Sequence, residues 1–284
     1  MDGRPIGVFD SGLGGLTVVR ALIDLLPHEH LVYFGDTGRF PYGPKPREEV
    51  LKYAFQITEL LMDHDVKLVV VGCNSAAAAA LTELRSRYEV PLTGVIEPGL
   101  RAAAEATRTG RIGVIGTVGT IASGAYQRAA AHLFPGIELS CAACPGFVEF
   151  VEAGDVDSDQ VFVLAERLLA PVRAAGVDTL VLGCTHYPLL ARTIGEVMGP
   201  SPNGDRVVLV SSGEETAFEV AAVLDAVGAR RLPSGGSGVS PEKTAGPEPA
   251  RHRFLTSGDP ATFRILGARF LGPEVESVEA WQWN

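Results

Sequence analysis

Short apolar runs recur along the chain without alternating in polarity: Ile6–Phe9, Leu31–Phe34, Leu68–Val71, Ile112–Ile115, Leu180–Leu182 and Val207–Val210. Each is β-branched or leucine-rich and bounded by Gly, Asp or Pro. A strand with one wet face alternates; a run that does not is buried on both faces. Longer stretches with helical spacing lie between them, among them Glu48–His64, Ser75–Tyr88 and Ser158–Ala175. Strand–helix alternation of this kind specifies an α/β fold of mainly parallel sheets covered by helices.

Two of these units repeat. Ile6-Gly7-Val8-Phe9-Asp10 is matched by Ile112-Gly113-Val114-Ile115-Gly116, and Leu68–Asn74 by Thr179–Thr185, in the same order and at nearly the same separation. The 284 residues suffice for about two domains. The expected architecture is therefore two pseudo-symmetric three-layer α/β domains with a site in the cleft between them. Breaks near Glu97-Pro98-Gly99 and Pro200–Asp205 divide the chain into 1–97 plus 206–284 for the first domain and 98–205 for the second. A Gly/Ser/Pro-rich stretch, 232–250, reads as a mobile surface loop. After it come a strand (Arg253–Thr256), a helix (Ala261–Phe270) and an acidic tail.

Charge narrows the partners. With 24 Lys and Arg against 34 Asp and Glu, the chain carries −10 and has no basic cluster, so direct nucleic-acid binding is not expected. The longest uncharged run, Leu68–Thr82, is too short and polar to span a bilayer. The opening Met-Asp-Gly-Arg-Pro carries no basic segment followed by an apolar stretch, so a cytoplasmic protein with reduced thiols is expected.

The chemistry concentrates where strands end. Gly72-Cys73-Asn74-Ser75 and Gly183-Cys184-Thr185-His186 each follow a buried strand, and each is expected to open a helix. Open α/β sheets place ligand groups just past the strand ends, and helix N–H groups there would lower a thiol pKa. A free thiol of pKa ~8.5 is only about 3% thiolate at neutral pH, so the charged form needs support. Two equivalent thiols facing one cleft suit a reaction that takes a proton from one face of a carbon and returns one to the other. Glycines at 12, 14 and 15 follow Asp10-Ser11, but the dinucleotide pattern fails at Thr17 and no P-loop is present, so no cofactor is expected. Asp10 itself fits either a catalytic group or a turn residue. Composition alone makes the 35–43 segment, with Tyr42-Gly43, an ordinary surface loop. Thr117 fits a carboxylate ligand and a helix cap equally. Cys141 and Cys144 read as one buried and one loop cysteine. A metal held by Cys73, Cys184 and His186 is disfavoured because it would consume both thiols.

Taken together, IGVFDSGLGGLTVVRAL, YFGDTGRFPYG, VVVGCNSAA, GVIEPG, VIGTVGT, CPGFVEFVEAG and LVLGCTHYPLL resemble the glutamate racemases of the aspartate/glutamate racemase family. The resemblance implies cofactor-independent interconversion of L- and D-glutamate, with D-glutamate going to peptidoglycan. It implies Cys73 and Cys184 as acid/base thiols, with Cys184 the base toward L-glutamate. Asp10 would assist Cys73, and Glu152 and His186 would assist Cys184. Substrate would be held around Asp10-Ser11, Tyr42-Gly43, Asn74-Ser75 and Thr185-His186, with Ser75 where the family usually has Thr. Aspartate or another acidic amino acid is the alternative substrate, and Thr185-His186-Tyr187 favours glutamate. A homodimer is the expected assembly, and inhibition of DNA gyrase, associated with some members, is a further role the family carries.

Overall fold

Residues 2–232 and 250–283 are described by the structure, a computed structural model. The expectation for 232–250 thus lies outside the described residues, apart from its end positions. Strands β1 (Ile6–Asp10), β2 (Leu31–Gly35), β3 (Leu68–Val71) and β4 (Leu92–Gly94) lie side by side in the order β2-β1-β3-β4. Then β5 (Arg111–Gly116), β6 (Glu138–Ala143), β7 (Thr179–Gly183) and β8 (Val208–Ser211) repeat that path in a second sheet, as β6-β5-β7-β8. The chain then extends the first sheet beyond β2 with β9 (His252–Thr256) and β10 (Val278–Ala280). All pairings between these strands are parallel.

The non-alternating runs behave as their composition requires. Strands β1, β2, β3 and β7 are buried along their whole length. Helices form at Arg47–Asp63, Asn74–Arg87 and Asp159–Ala174. The last is started by Ser158, whose hydroxyl oxygen accepts the Val161 N–H and satisfies one of the free donors of the first turn. One large apolar cluster runs from Ile6 and Val70 of the first sheet to Ile112, Val114 and Val181 of the second, so the two sheets share a core. A smaller cluster around Phe147, Leu180 and Ile194 fills the far side of the second sheet. Among the described residues no helix is long and apolar enough to cross a membrane.

Three details differ from the sequence reading. The division expected at 97/98 falls inside the helix Ile96–Ala106, which packs on β7, β8 and the helix Ala125–Leu133. The return expected at Arg206 comes later, because Val208–Ser211 still meets the open edge of β7 and pairs there. The helix Ser212–Ala226 then carries the chain back, packing on helices Leu16–Leu25 and Ile96–Ala106. The acidic tail, finally, contains a strand. Val278–Ala280 adds to β9, where Glu279 pairs with Arg253 at 2.8 Å and Trp281 N–H donates to Thr256 at 2.8 Å.

Candidate active site

Both sheets turn the C-terminal ends of their central strands toward one cavity of about 90 Å³, room for a compact solute rather than a nucleotide. β1 delivers Asp10 and Ser11, and β3 delivers Cys73 and Asn74. From the second sheet, β5 delivers Thr117 and β7 delivers Cys184, Thr185 and His186. Cys73 and Cys184 both line the cavity and are 5% and 6% exposed. Ser11, Tyr42, Gly43, Asn74, Ser75, Thr117, Thr185 and His186 line it with them. Asp10 and Glu152 stand one layer behind, reaching it through Thr185 and His186.

The two thiols have different neighbours. Cys73 caps the helix Asn74–Arg87 and donates to Ser11 Oγ at 3.6 Å. Burial, reinforced by the nearby Asp10 carboxyl, pushes this thiol up to about 12. The expectation that helix N–H groups would lower it is therefore corrected: desolvation and a like charge outweigh them. Asp10 is wholly buried, and that burial raises its pKa against the pull of His186 and of the Gly12 N–H at 2.8 Å.

Cys184 lies 3.9 Å from His186 Nδ1, and His186 Nε2 lies 2.6 Å from Glu152 Oε1. Burial opposes charge on this imidazole. The hydrogen bonds with Cys184 and Glu152 more than offset it and hold His186 up at about 10. A cation thus stands beside one sulfur and a carboxyl beside the other. No α-helix opens directly after Cys184, contrary to expectation. A short 3₁₀ turn, Tyr187–Leu190, precedes the helix Ala191–Met198, so the support at this sulfur comes from a side chain rather than a helix end.

Hydroxyls close the cavity across the halves. Ser75 Oγ lies 2.9 Å from Thr117 Oγ1, which lies 3.0 Å from Thr120 Oγ1. Thr117 also accepts the Thr120 N–H and so caps the helix Val118–Ala122, and it lines the cavity as well. The 35–43 segment is no ordinary surface loop. Asp36, fully buried, accepts from Tyr42 OH, from Arg39 Nε at 2.7 Å, from Ser257 Oγ at 2.6 Å and from Trp283 Nε1 at 3.3 Å. Tyr42 is thereby held against the cavity, only 1% exposed.

Sequence reasoning missed Phe40, Val148, Glu149 and the cavity-facing position of Cys144. A signal existed for Cys144, which follows β6 at the same edge of the second sheet as Cys184. Its thiol is pushed up to about 12 by burial and by Cys184. Cys141 lies in β6 and is half-buried, while Cys144, in the turn after it, is buried. Among the described residues, no group of three or more His, Cys, Asp or Glu is arranged to hold a metal ion.

Comparison with known proteins bears on this geometry. Residues 6–217 match the family described as Asp/Glu/Hydantoin racemase. The glutamate racemase of Beutenbergia cavernae is 52% identical over 281 residues, covering 98% of this chain and 93% of that one. A crystal structure of a glutamate racemase isoform from Bacillus anthracis superposes with a TM-score of 0.87 at 38% identity, over 100% of this chain and 98% of that one. The Francisella tularensis glutamate racemase, solved in complex with D-glutamate, superposes at 0.86 with 31% identity, over 99% and 98%.

Proposed function

Since the chain belongs to the Asp/Glu/hydantoin racemase family, among its glutamate racemases, we propose that it interconverts L- and D-glutamate by passing a proton between Cys73, Cys184 and the substrate Cα. The observation that carries the reading is the pair of thiols at equivalent turns after β3 and β7, both lining one cavity. In the L-to-D direction the Cys184 thiolate takes the Cα proton. The Cys73 thiol delivers its own proton to the opposite face. The product leaves with Cys184 as thiol and Cys73 as thiolate, and proton exchange restores the start.

The surroundings fit this division. Cys73, held as a neutral thiol by burial, is a donor in waiting. Cys184 has the imidazolium of His186 beside it, itself oriented by Glu152. Hydroxyls of Ser75 and Thr117 supply donors for the carboxylates, and the walls at Tyr42 and Gly43 fix the length of the ligand. The buried Asn74 Oδ1, without a partner among the described residues, supplies an acceptor for the ammonium. D-glutamate made this way goes to peptidoglycan. Purified protein followed by circular dichroism should racemise L-glutamate and leave L-aspartate unchanged. Activity should survive exhaustive dialysis against chelator without added pyridoxal phosphate, and activity restored only by a metal or that cofactor would refute the scheme.

A further inference from the structure

Tyr126 belongs to none of the motifs that carry the site, yet it touches both thiol turns. It stands on the helix Ala125–Leu133 and is 1% exposed. Its hydroxyl oxygen accepts from Asn74 Nδ2 at 2.9 Å. Its ring edge lies against Gly183, where a Cβ would sit 3.2 Å from both Tyr126 Cε2 and its hydroxyl. One side chain of the second half therefore contacts the residue after Cys73 and the residue before Cys184.

The amide of Asn74 has two unlike ends. Its NH₂ is spent on Tyr126, while its Oδ1 is buried and unpartnered among the described residues. A buried acceptor left unpaired is costly unless something outside the chain pairs with it. Asn74 lines the cavity, so that partner comes from the cavity. We infer that Tyr126 is a positioning residue: by engaging the NH₂ end of Asn74 it keeps the carbonyl end toward the cavity as an acceptor for a cationic group. Resting on the function proposed above, that group is the substrate ammonium. Without the tyrosine oxygen, the amide would leave two donors against a phenyl edge. Turning over would satisfy them in the cavity, where they meet an ammonium with the wrong polarity.

The test separates ammonium recognition from general loosening of the pocket. Glutarate has the two carboxylates of glutamate and no ammonium. In Tyr126→Phe, KM for L-glutamate should rise about tenfold, the size of a lost hydrogen bond to a charged group, with kcat little changed. The inhibition constant of glutarate should stay where it is in the wild type. Asn74→Ala, which removes the amide itself, should show the same split, and combining the two substitutions should add nothing. Equal weakening of glutamate and glutarate, or no change in either, overturns the inference. Should Tyr126→Phe not fold, Asn74→Ala still overturns the inference if it weakens glutamate and glutarate alike, since Tyr126 acts only through that amide. Wild-type protein that fails to racemise glutamate would remove the underlying reading and this inference with it.

Discussion

Thr185 Oγ1 donates to Asp10 Oδ2 at 3.3 Å, so the residue after one thiol holds the carboxyl that stands behind the other. This contact crosses from the second sheet to the first and closes the site at its floor. Thr185→Val keeps the shape and removes the donor. Its kcat should fall about tenfold in both directions, the worth of one hydrogen bond to an ionisable group. Unchanged kcat at an unchanged thermal midpoint would show that Asp10 needs no such support.

Replacing either thiol should be far more damaging. Cys73→Ala and Cys184→Ala should each lower kcat at least about a hundredfold, since an acid or base group contributes 10²–10⁴-fold. In D₂O the product enantiomer should carry deuterium at Cα while unreacted substrate stays protiated early in the reaction. Early label in both enantiomers would instead indicate one base exchanging with solvent.

The pH dependence follows from the signs of the shifts. His186 ordinarily titrates near 6.5 and is held at about 10 in the fold, so the folded protein binds a proton that the unfolded chain has released. Its contribution to stability is complete below about 6.5 and is lost as pH rises through 10. Cys73, raised to about 12, acts in the same direction at higher pH. The thermal midpoint should therefore decline from pH 6.5 to 10, with a shallower decline in His186→Asn. Glu152→Gln removes one support of the imidazolium, so the alkaline fall in L-to-D kcat should move to lower pH. An alkaline limb identical to the wild type would remove Glu152 from that role.

Gly14 passes the second half so closely that only hydrogen fits. A Cβ there would lie 2.2 Å from Thr185 Oγ1 and 2.6 Å from His186 Nδ1. Gly14→Ala must push those side chains away, at about 1–3 kcal/mol of overpacking. It should cost more in kcat than in stability, because the displaced groups are those beside Cys184 and Asp10. Comparing kcat per folded protein with the urea midpoint checks the order.

Asp36→Asn tests whether the buried carboxylate holds the cavity wall from behind. Breaking a buried pair with Arg39 should cost about 3 kcal/mol in urea unfolding, and the freed Tyr42 should raise KM for glutamate. A normal KM in the destabilised variant would confine Asp36 to stability.

Much of this was legible in the residues, for definable reasons. Non-alternating runs betray strands covered on both faces, and the repeated Gly-Cys after two of them located the thiols. Glu152 was legible only through resemblance, because a glutamate on a helix carries no local mark of the histidine it will meet. Tyr126 was invisible for a related reason: its sequence neighbours are those of any buried helix face, and its partners lie in distant turns. Asp36 was hidden by composition, since a Gly/Pro/aromatic segment looks like an ordinary surface loop until the tail brings Trp283 back to it. At Cys73 the nearness of Asp10 was legible, since both follow strands that end on one sheet edge, but the burial that outweighs the helix N–H groups was not.

The unlike surroundings of the two sulfurs carry a last consequence. L- and D-glutamate are mirror images with the same free energy in water, so their equilibrium constant is one whatever the protein does. An imidazolium beside Cys184 and a carboxyl beside Cys73 can set how fast each enantiomer turns over when bound, and how tightly each binds. They cannot set these independently. For the wild type and for every variant above, kcat/KM must come out equal in the two directions. Any substitution that slows turnover of one enantiomer more than the other must lower its KM, relative to that of the other, by the same factor.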